Sequence, residues 1–151
     1  WFPLVNQYTA ELADSDYETL TVVDVEVPLG VAIEQARRRW WEGRTGGDAL
    51  GGRFMADSSI TAFYGGQPVS ECATTARALA AEAQDAGIDS ELLVVSRTGT
   101  GQEFGARIHG DTATRYGPGA FSVPCLKCGQ PLRAPESIVR GIGPDCLSKM
   151  P

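Results

Sequence analysis

The chain has 151 residues, of which 42% are hydrophobic and 21% are charged, and it carries a formal net charge of -6. This composition predicts one ordinary folded core with a small appendage and excludes general disorder. The negative charge argues against a protein that binds nucleic-acid phosphates over its whole surface, because affinity for phosphates depends on clustered Lys and Arg. No apolar run reaches the roughly 20 residues that span a bilayer, and the first residues lack a signal-peptide pattern, so we expect a cytoplasmic protein without membrane contact.

The first thirty residues are strongly acidic. They carry six carboxylates and no basic residue, namely Glu11, Asp14, Asp16, Glu18, Asp24 and Glu26. Charge runs of this kind usually form a solvated surface, and we expect the same here. Asp14 and Asp16 are also candidate rim charges of a partner-binding surface, where they would steer the encounter. Residues 18–27 alternate in part and are rich in Val and Thr, which predicts a strand that Pro28 ends.

A helix is predicted over residues 29–43, because apolar residues recur there at helical spacing, at Leu29, Ile33, Ala36 and Trp40. Gly43 is the expected C-terminal stop. The three arginines at 37–39 cannot share one face, and we interpret them as the solvated flank of a core helix, with ion pairs to the acidic strand. Trp40 and Trp41 point about 100° apart, so one can be core while the other is an exposed anchor for a partner.

Residues 43–68 contain several glycines, and we predict a mobile or partner-facing loop there, with one strand at residues 58–64. The Gly-Gly pairs resemble a phosphate loop only superficially, because no Gly-Lys-Ser/Thr follows them. A second helix is predicted from Ser70, a favourable N-cap residue, to Gly87. Cys72 falls on the predicted apolar face of this helix, and we expect it to be a small core residue.

Two further strands, at residues 90–98 and 102–110, flank a Gly-Thr-Gly turn and predict a hairpin. Alternation along the second strand places three side chains toward the core and two on the other face: Phe104, Ala106 and Ile108 against Arg107 and His109. Together these elements predict an α+β fold. We expect a small mixed sheet with two helices in a domain of residues 1–120, followed by a zinc-knuckle module of residues 121–151.

Three of the four cysteines lie near the C-terminus with the spacing C-x2-C-x17-C, at Cys125, Cys128 and Cys146. The first two suit a tight knuckle whose backbone N–H groups point at the sulfurs, and Gly129 permits the turn. Pro144 predicts a helix start, which would place Cys146 among free N–H groups that favour its thiolate. The set predicts one structural zinc ion. Free thiols and a disulfide are less favoured, the disulfide because of the expected compartment.

The fourth ligand of that zinc is open, since tetrahedral zinc takes four and this stretch supplies three. Our first candidate is His109, the only histidine, because it lies on the strand that leads toward the knuckle and imidazole commonly accompanies thiolates on zinc. Cys72 offers better ligand chemistry but lies on an apolar helix face. Asp145, a residue upstream of this sequence, or water would also complete the coordination. A site open to water could activate it for hydrolysis, but no general base is apparent beside it, so the structural role leads.

The run CxxCGxxLxxPxSIxxGIGPxC, from Cys125 to Cys146, resembles a short family of uncharacterised function that is common in actinobacterial and actinobacteriophage proteins. Members share the three cysteines together with Pro-x-Ser-Ile and Gly-Ile-Gly-Pro segments, found here at 135–138 and 141–144. The resemblance implies a zinc-knuckle fold and a phage origin, and it supplies no catalytic residue. Departures at surface positions, such as Gln130 where members commonly carry Arg, leave the metal ligands intact.

Three classes of function are compatible with these features. We expect a non-catalytic zinc-containing binding protein, namely a phage accessory factor that docks on a protein of the bacterial host or its defences, or a virion component. The reason is that the sequence shows no recognisable catalytic constellation. The second class is a nucleic-acid-binding module that uses the basic knuckle with Tyr116 and Phe121 as stacking groups, which the net charge disfavours. The third is an enzyme with its site in the loop of residues 43–68.

Overall fold

The computed structural model describes residues 2–47, 52–97, 103–116 and 123–150. In chain order its first eight elements are α1 (Phe2–Asp14), β1 (Thr19–Glu26), α2 (Leu29–Thr45), α3 (Asp57–Ala62), α4 (Glu71–Asp85), β2 (Asp89–Arg97), β3 (Glu103–His109) and β4 (Thr112–Tyr116). The C-terminal segment adds β5 (Val123–Pro124), β6 (Pro131–Leu132), α5 (Pro135–Arg140) and α6 (Pro144–Leu147). Within the described ranges, no helix combines the length and the apolar character needed to cross a membrane.

The main sheet has four strands in the order β1-β2-β3-β4. β1 and β2 are parallel, with Thr19 opposite Asp89, and the chain crosses between them through α2, α3 and α4. β3 is antiparallel to both of its neighbours, and Leu92 of β2 lies opposite Ile108. The predicted α+β fold with a mixed sheet is therefore confirmed, and so is the pairing of β2 with β3. The predicted Gly-Thr-Gly turn and the Phe104 side chain lie outside the described residues.

One face of this sheet forms the core of the protein. Its buried side chains include Val22, Leu92, Val94, Ala106 and Ile108, and α4 packs over them. As predicted, Ala106 and Ile108 face inward while Arg107 and His109 face outward. The C-terminal segment fills the rest of the same core with four buried residues, Val123, Cys125, Leu132 and Ile138. Full burial of an aliphatic side chain of this size contributes about 1.5–3 kcal/mol, so this segment is an integral part of the core.

The opposite face of β1 is open. Val23 is 56% exposed and Val25 is also more than half exposed, although both belong to a strand of the main sheet. Val23 and Val25 are exposed because successive side chains of a strand point to opposite faces, and Val22 and Asp24 point to the buried one.

The strand predicted at residues 58–64 is wrong, because these residues form α3 and the turn that follows it. Ile60 and Tyr64 lie one helical turn apart, and both are buried, so a helix buries them together against the rest of the chain. The Tyr64 hydroxyl also donates to the Val27 carbonyl at 2.7 Å, which ties this turn to the end of β1. Tertiary packing has overridden the preference of the β-branched residues for strands.

The prediction that α2 is a core helix is also wrong. The helix continues through Gly43 to Thr45, and none of its residues is buried. Its arginines form ion pairs, but with partners other than the predicted acidic strand: Arg37 pairs with Asp57, and Arg38 pairs with Glu42 of its own helix. α2 packs chiefly on α3, so its apolar residues are only half covered.

The helix predicted from Ser70 is confirmed as α4, but its buried face differs from the prediction. Ala73 and Ala83 are buried, whereas Cys72 is exposed, because a step of one residue along a helix turns the side chain by about 100°. The Ser70 hydroxyl does not cap its own helix. It donates to the carboxylate of Glu26 on β1, and this bond connects the start of α4 to the sheet.

Candidate metal centre

The structure brings the three C-terminal cysteines together. The sulfur atoms of Cys125, Cys128 and Cys146 all lie within 4.8 Å of one another, although no bond joins them. Cys125 directly follows β5 and is only 1% exposed, Cys128 closes the next turn, and Cys146 lies in α6. The three sulfurs are close enough together to hold one metal ion, and their spacing in the sequence predicted this proximity.

A tight turn positions the first two cysteines. β5 pairs with β6, and within this small hairpin the Cys125 N–H donates to the Gln130 carbonyl at 2.8 Å. The Gly129 N–H donates to the Cys125 carbonyl at 2.8 Å, and Gly129 has a φ of +71°, which favours glycine. A Cβ at Gly129 would also lie 2.8 Å from the Cβ of Pro68. The predicted role of Gly129 is thus confirmed, and the contact with Pro68 makes glycine necessary for a second reason.

A second turn positions Cys146. α5 ends at Arg140 and is followed by Gly141, whose φ is +73°. The Gly141 carbonyl accepts a 2.9 Å hydrogen bond from the Leu126 N–H in the knuckle. A Cβ at Gly141 would lie 2.8 Å from Nε of Arg77 and 2.9 Å from Cδ1 of Leu126. This close approach brings the chain back toward the first two cysteines, so that α6 can present Cys146 to them.

The sulfurs differ in how readily they ionise. Burial raises the pKa of Cys125, but hydrogen bonds from the backbone N–H groups of Gly143, Cys128 and Lys127 outweigh burial and lower that pKa to about 7. The predicted knuckle, with backbone N–H groups pointing at sulfur, is therefore confirmed. For Cys146 the expected stabilisation of the thiolate is wrong. Its hydrogen bond to Cys128, with burial and repulsion from the other two sulfurs, raises the pKa of Cys146 to about 11.

The high pKa of Cys146 beside Cys125 and Cys128 favours the binding of a cation to the three sulfurs. Three thiolates so close together repel one another, and a divalent cation between them removes that repulsion. The donor set is entirely sulfur, which suits a soft or borderline metal ion such as zinc. The residues present therefore fit a metal ion held by Cys125, Cys128 and Cys146.

The structure does not bring His109 to this cluster. Nε2 of His109 lies 2.6 Å from Oδ1 of Asp89, on the open face of the sheet, whereas its neighbour Ile108 points into the core that contains Cys125. Cys72 is exposed on α4, and the Asp145 carboxylate does not join the three sulfurs either. Among the described His, Cys, Asp and Glu side chains, none completes a four-ligand site.

A cavity of about 340 Å³ opens beside the three cysteines. β6, the start of α5 and the start of α6 form its walls. Besides the cysteines it is lined by Gln130, Pro131, Leu132, Arg133, Ala134, Ser137, Gly143, Pro144 and Asp145. The cysteine cluster is thus accessible from one side, while Cys125 is packed into the core on the other.

A buried ionic cluster joins the C-terminal segment to the sheet. Nη1 of Arg77 on α4 donates to the carbonyls of Ile138 and Val139 at 3.1 and 2.8 Å, at the end of α5. Asp24 is only 4% exposed, and its pKa is raised to about 7 by burial and by repulsion from Glu26, against the attraction of Arg77. Oδ1 of Asp24 and Nε of Arg77 are buried without a hydrogen-bond partner in the structure.

The expectation that the acidic block is solvated is therefore wrong for Asp24 and Glu26, both of which are buried. The sequence contained an indication of this burial. Asp24 and Glu26 follow Val22 at steps of two residues along β1, so their side chains point to the same face as that of Val22, which is the core face.

Trp40 and Trp41 belong to an aromatic group at the surface. Trp41 is 61% exposed, while Trp40 is half-buried and its ring centre lies 5.5 Å from that of Phe54, edge to face. The guanidinium of Arg44 lies over the Trp40 ring at 5.5 Å. Gly52 packs so closely on α2 that a Cβ there would lie 2.5 Å from Cα of Trp40.

The predicted rim charges, Asp14 and Asp16, lie elsewhere. Asp14 ends α1 and Asp16 follows it with a φ of +56°, and both are exposed. α1 packs on α4, whereas α2 packs on α3. Their participation in a surface shared with Trp41 stays a prediction.

Comparison with known proteins finds a family that matches the C-terminal residues. Residues 113–151 match a family described as a family of unknown function (DUF6011). The match contains all three clustered cysteines and leaves most of the chain outside it. No curated protein and no solved structure matches the chain. The resemblance to a family of uncharacterised function is confirmed for the C-terminal segment, and the actinobacterial and phage setting stays a prediction.

Proposed function

We propose that this protein is a non-catalytic binding protein that docks on another protein through α2, while a zinc ion holds the C-terminal segment in place. The observation that carries the docking role is the exposure of α2 itself. α2 has 17 residues, and its apolar side chains are at most partly covered, whereas a helix in a folded protein is normally stabilised by burying an apolar face. A partner on its free side would complete this burial.

The surface of α2 has the composition of a docking site. We define the α2 surface as Trp40, Trp41, Arg44, Phe54 and Met55. Trp41 is 61% exposed, Phe54 is 69% exposed, and Met55 is half exposed. Exposed apolar side chains that lie close together commonly mark interaction sites, and Trp and Arg are over-represented among the residues that dominate binding energy.

The charge around this surface favours an acidic partner. Residues 29–47 and 52–55 carry five arginines against two glutamates, although the protein as a whole is negative: Arg37, Arg38, Arg39, Arg44 and Arg53 against Glu34 and Glu42. We place an acidic protein ahead of a nucleic acid because Arg37 and Arg38 are engaged in ion pairs and the net charge of -6 repels a polyanion.

A nucleic-acid-binding role has less support from the positions of its proposed stacking groups. The hydroxyl of Tyr116 lies 3.4 Å from the Val94 carbonyl, which it can reach as a donor, and Phe121 lies outside the described residues. An enzymatic site in residues 43–68 stays a prediction. So do the bacterial host as the source of the partner and the cytoplasm as the location.

Zinc is the metal that we propose for the cysteine cluster, in a structural role. Thiolate donors at tetrahedral geometry are typical of structural zinc sites. The ion would connect Cys125 and Cys128, in the turn that follows β5, to Cys146 in α6. It would thus hold together the two ends of a segment whose helices and strands are all short.

A capture experiment with matched variants tests the docking role. Tag-free protein is immobilised and exposed to a nuclease-treated bacterial lysate, in parallel with Trp41→Ala and with Tyr17→Ala. Tyr17 is a suitable control because it is 58% exposed, almost as much as Trp41, and lies between α1 and β1. We expect a protein that wild type and Tyr17→Ala retain and that Trp41→Ala loses by at least about tenfold, since central aromatic anchors often contribute 2 kcal/mol or more. Equal capture by all three variants, or capture that nuclease abolishes, contradicts the proposal.

A further inference from the structure

The cysteine cluster is open on one side. Three sulfurs supply three of the four positions that zinc favours, and no other described His, Cys, Asp or Glu side chain joins them. Structural zinc sites are normally closed by a fourth protein ligand, whereas sites with three protein ligands leave a position for another molecule. The cavity beside Cys125, Cys128 and Cys146 lies where such a molecule could enter.

We infer that the fourth coordination position of this metal centre faces that cavity and accepts an exchangeable, uncharged nitrogen donor of the imidazole class. This inference rests on the proposed zinc centre. It adds that the three cysteines form a binding site for a ligand from outside the cluster, in addition to stabilising the fold.

The size of the cavity favours a ligand larger than water. Its volume of about 340 Å³ is roughly ten times the share of one water molecule in the liquid, about 30 Å³. It falls at the lower end of the range of small-molecule sites, roughly 300–1,000 Å³. A five-membered ring on a short chain therefore fits the space beside the sulfurs.

The charge of the site favours a neutral ligand. A divalent ion with three thiolates carries a net negative charge, which opposes the approach of a fourth anion. The two formally charged side chains of the lining, Arg133 and Asp145, have opposite signs. Most of the remaining wall is apolar, including Leu132 and Pro144. An uncharged ring nitrogen satisfies the metal without placing another charge against this wall, and imidazole is a common zinc ligand.

Cobalt substitution tests the inference, because the visible absorption of cobalt reports its ligands. Tag-free protein is loaded with Co²⁺ and titrated with imidazole, and in parallel with azide as an anionic probe. We expect the spectrum to change saturably with imidazole, and azide to need at least about tenfold higher concentration. The variant Ala134→Phe should keep its cobalt but bind imidazole at least about tenfold more weakly, because the new ring occupies the cavity. Ala134 is exposed on the cavity wall, and its side chain is not a ligand.

The outcomes separate this inference from the proposed function. Protein that binds neither zinc nor cobalt refutes the metal centre, and this inference with it. Protein that binds cobalt tightly, with a spectrum that imidazole leaves unchanged, retains the metal centre and overturns the inference. Azide binding as strong as imidazole binding, or an Ala134→Phe variant with undiminished imidazole affinity, also overturns it, since the charge or the cavity would then be irrelevant.

Discussion

Replacing Asp24 with asparagine should stabilise the protein at alkaline pH. The cluster of Asp24, Glu26 and Arg77 contains two carboxyl groups and one guanidinium, so ionisation of both acids leaves one buried negative charge without a partner. Burial and repulsion from Glu26 raise the pKa of Asp24 to about 7, so its carboxyl group holds a proton below that pH. Glu26 itself accepts hydrogen bonds from both the N–H and the hydroxyl of Ser70.

The size of the effect follows from that pKa, which rises from 3.8 to about 7. A group whose pKa is raised by folding stabilises the protein fully below its unfolded pKa, and this contribution is lost as the pH rises through the folded pKa. The free energy of unfolding should fall by about 1.36 kcal/mol for each pH unit between the unfolded and the folded pKa of Asp24. Because roughly 1.5 pH units separate pH 5.5 from the folded pKa, Asp24 should lower the free energy of unfolding by about 2 kcal/mol between about pH 5.5 and about pH 8. Asp24→Asn cannot ionise and should lose this dependence.

Urea unfolding at several pH values, with zinc in constant excess, measures this difference. At about pH 8 we expect Asp24→Asn to exceed wild type in unfolding free energy by about 1–2 kcal/mol, with a smaller difference at about pH 5.5. Asp14→Asn, which removes an exposed carboxylate of the same type, should follow the wild-type profile. A variant that is less stable than wild type at about pH 8 would refute the reasoning, because Asp24 would then be an ionised partner that Arg77 needs.

Three further predictions concern the metal centre. Tag-free protein should contain about one zinc ion per chain by elemental analysis, and Cys128→Ser should release it and speed amide exchange in the C-terminal segment; unchanged exchange would contradict the structural role. His109→Ala and Cys72→Ala should both retain zinc as wild type does against a competing chelator, because neither side chain joins the sulfurs, and a loss of about tenfold in either would identify a ligand. Gly129→Ala should cost about 2 kcal/mol or more of unfolding free energy, since it combines a positive φ with a proline 2.8 Å from the new Cβ. Gly47→Ala, at φ +73° with nothing within 4 Å, should cost only about 1 kcal/mol, and equal losses would exclude a role for the proline.

The sequence predicted the local features of this protein better than its tertiary ones. The alternation of residues 18–27 identified β1, but the residue types suggested that Asp24 and Glu26 face solvent. Their guanidinium partner, Arg77, is 53 and 51 positions away, and no local pattern connects it to them. The reason that both acids can be buried is that α4 packs on the sheet and brings Arg77 to them.

The same limit applies to the metal centre and to α3. Thiolate spacing predicted the cysteine cluster, because a tight turn and a short return loop are local features. The fourth ligand is not a local feature, and His109 illustrates why: the alternation of β3 showed that it faces away from Ile108, but not that Ile108 shares a core with Cys125. Residues 58–64 contain β-branched side chains, and only burial of Ile60 together with Tyr64 selects the helix.

The position of the C-terminal segment in the core has a consequence for synthesis of the protein. β4 ends at Tyr116, but the face of the sheet is completed by Val123, Leu132 and Ile138. While the chain is being made, the four strands are therefore available before the side chains that cover them. The nascent sheet must remain partly uncovered until this segment has left the ribosome, and during that interval it presents apolar surface that chaperones recognise.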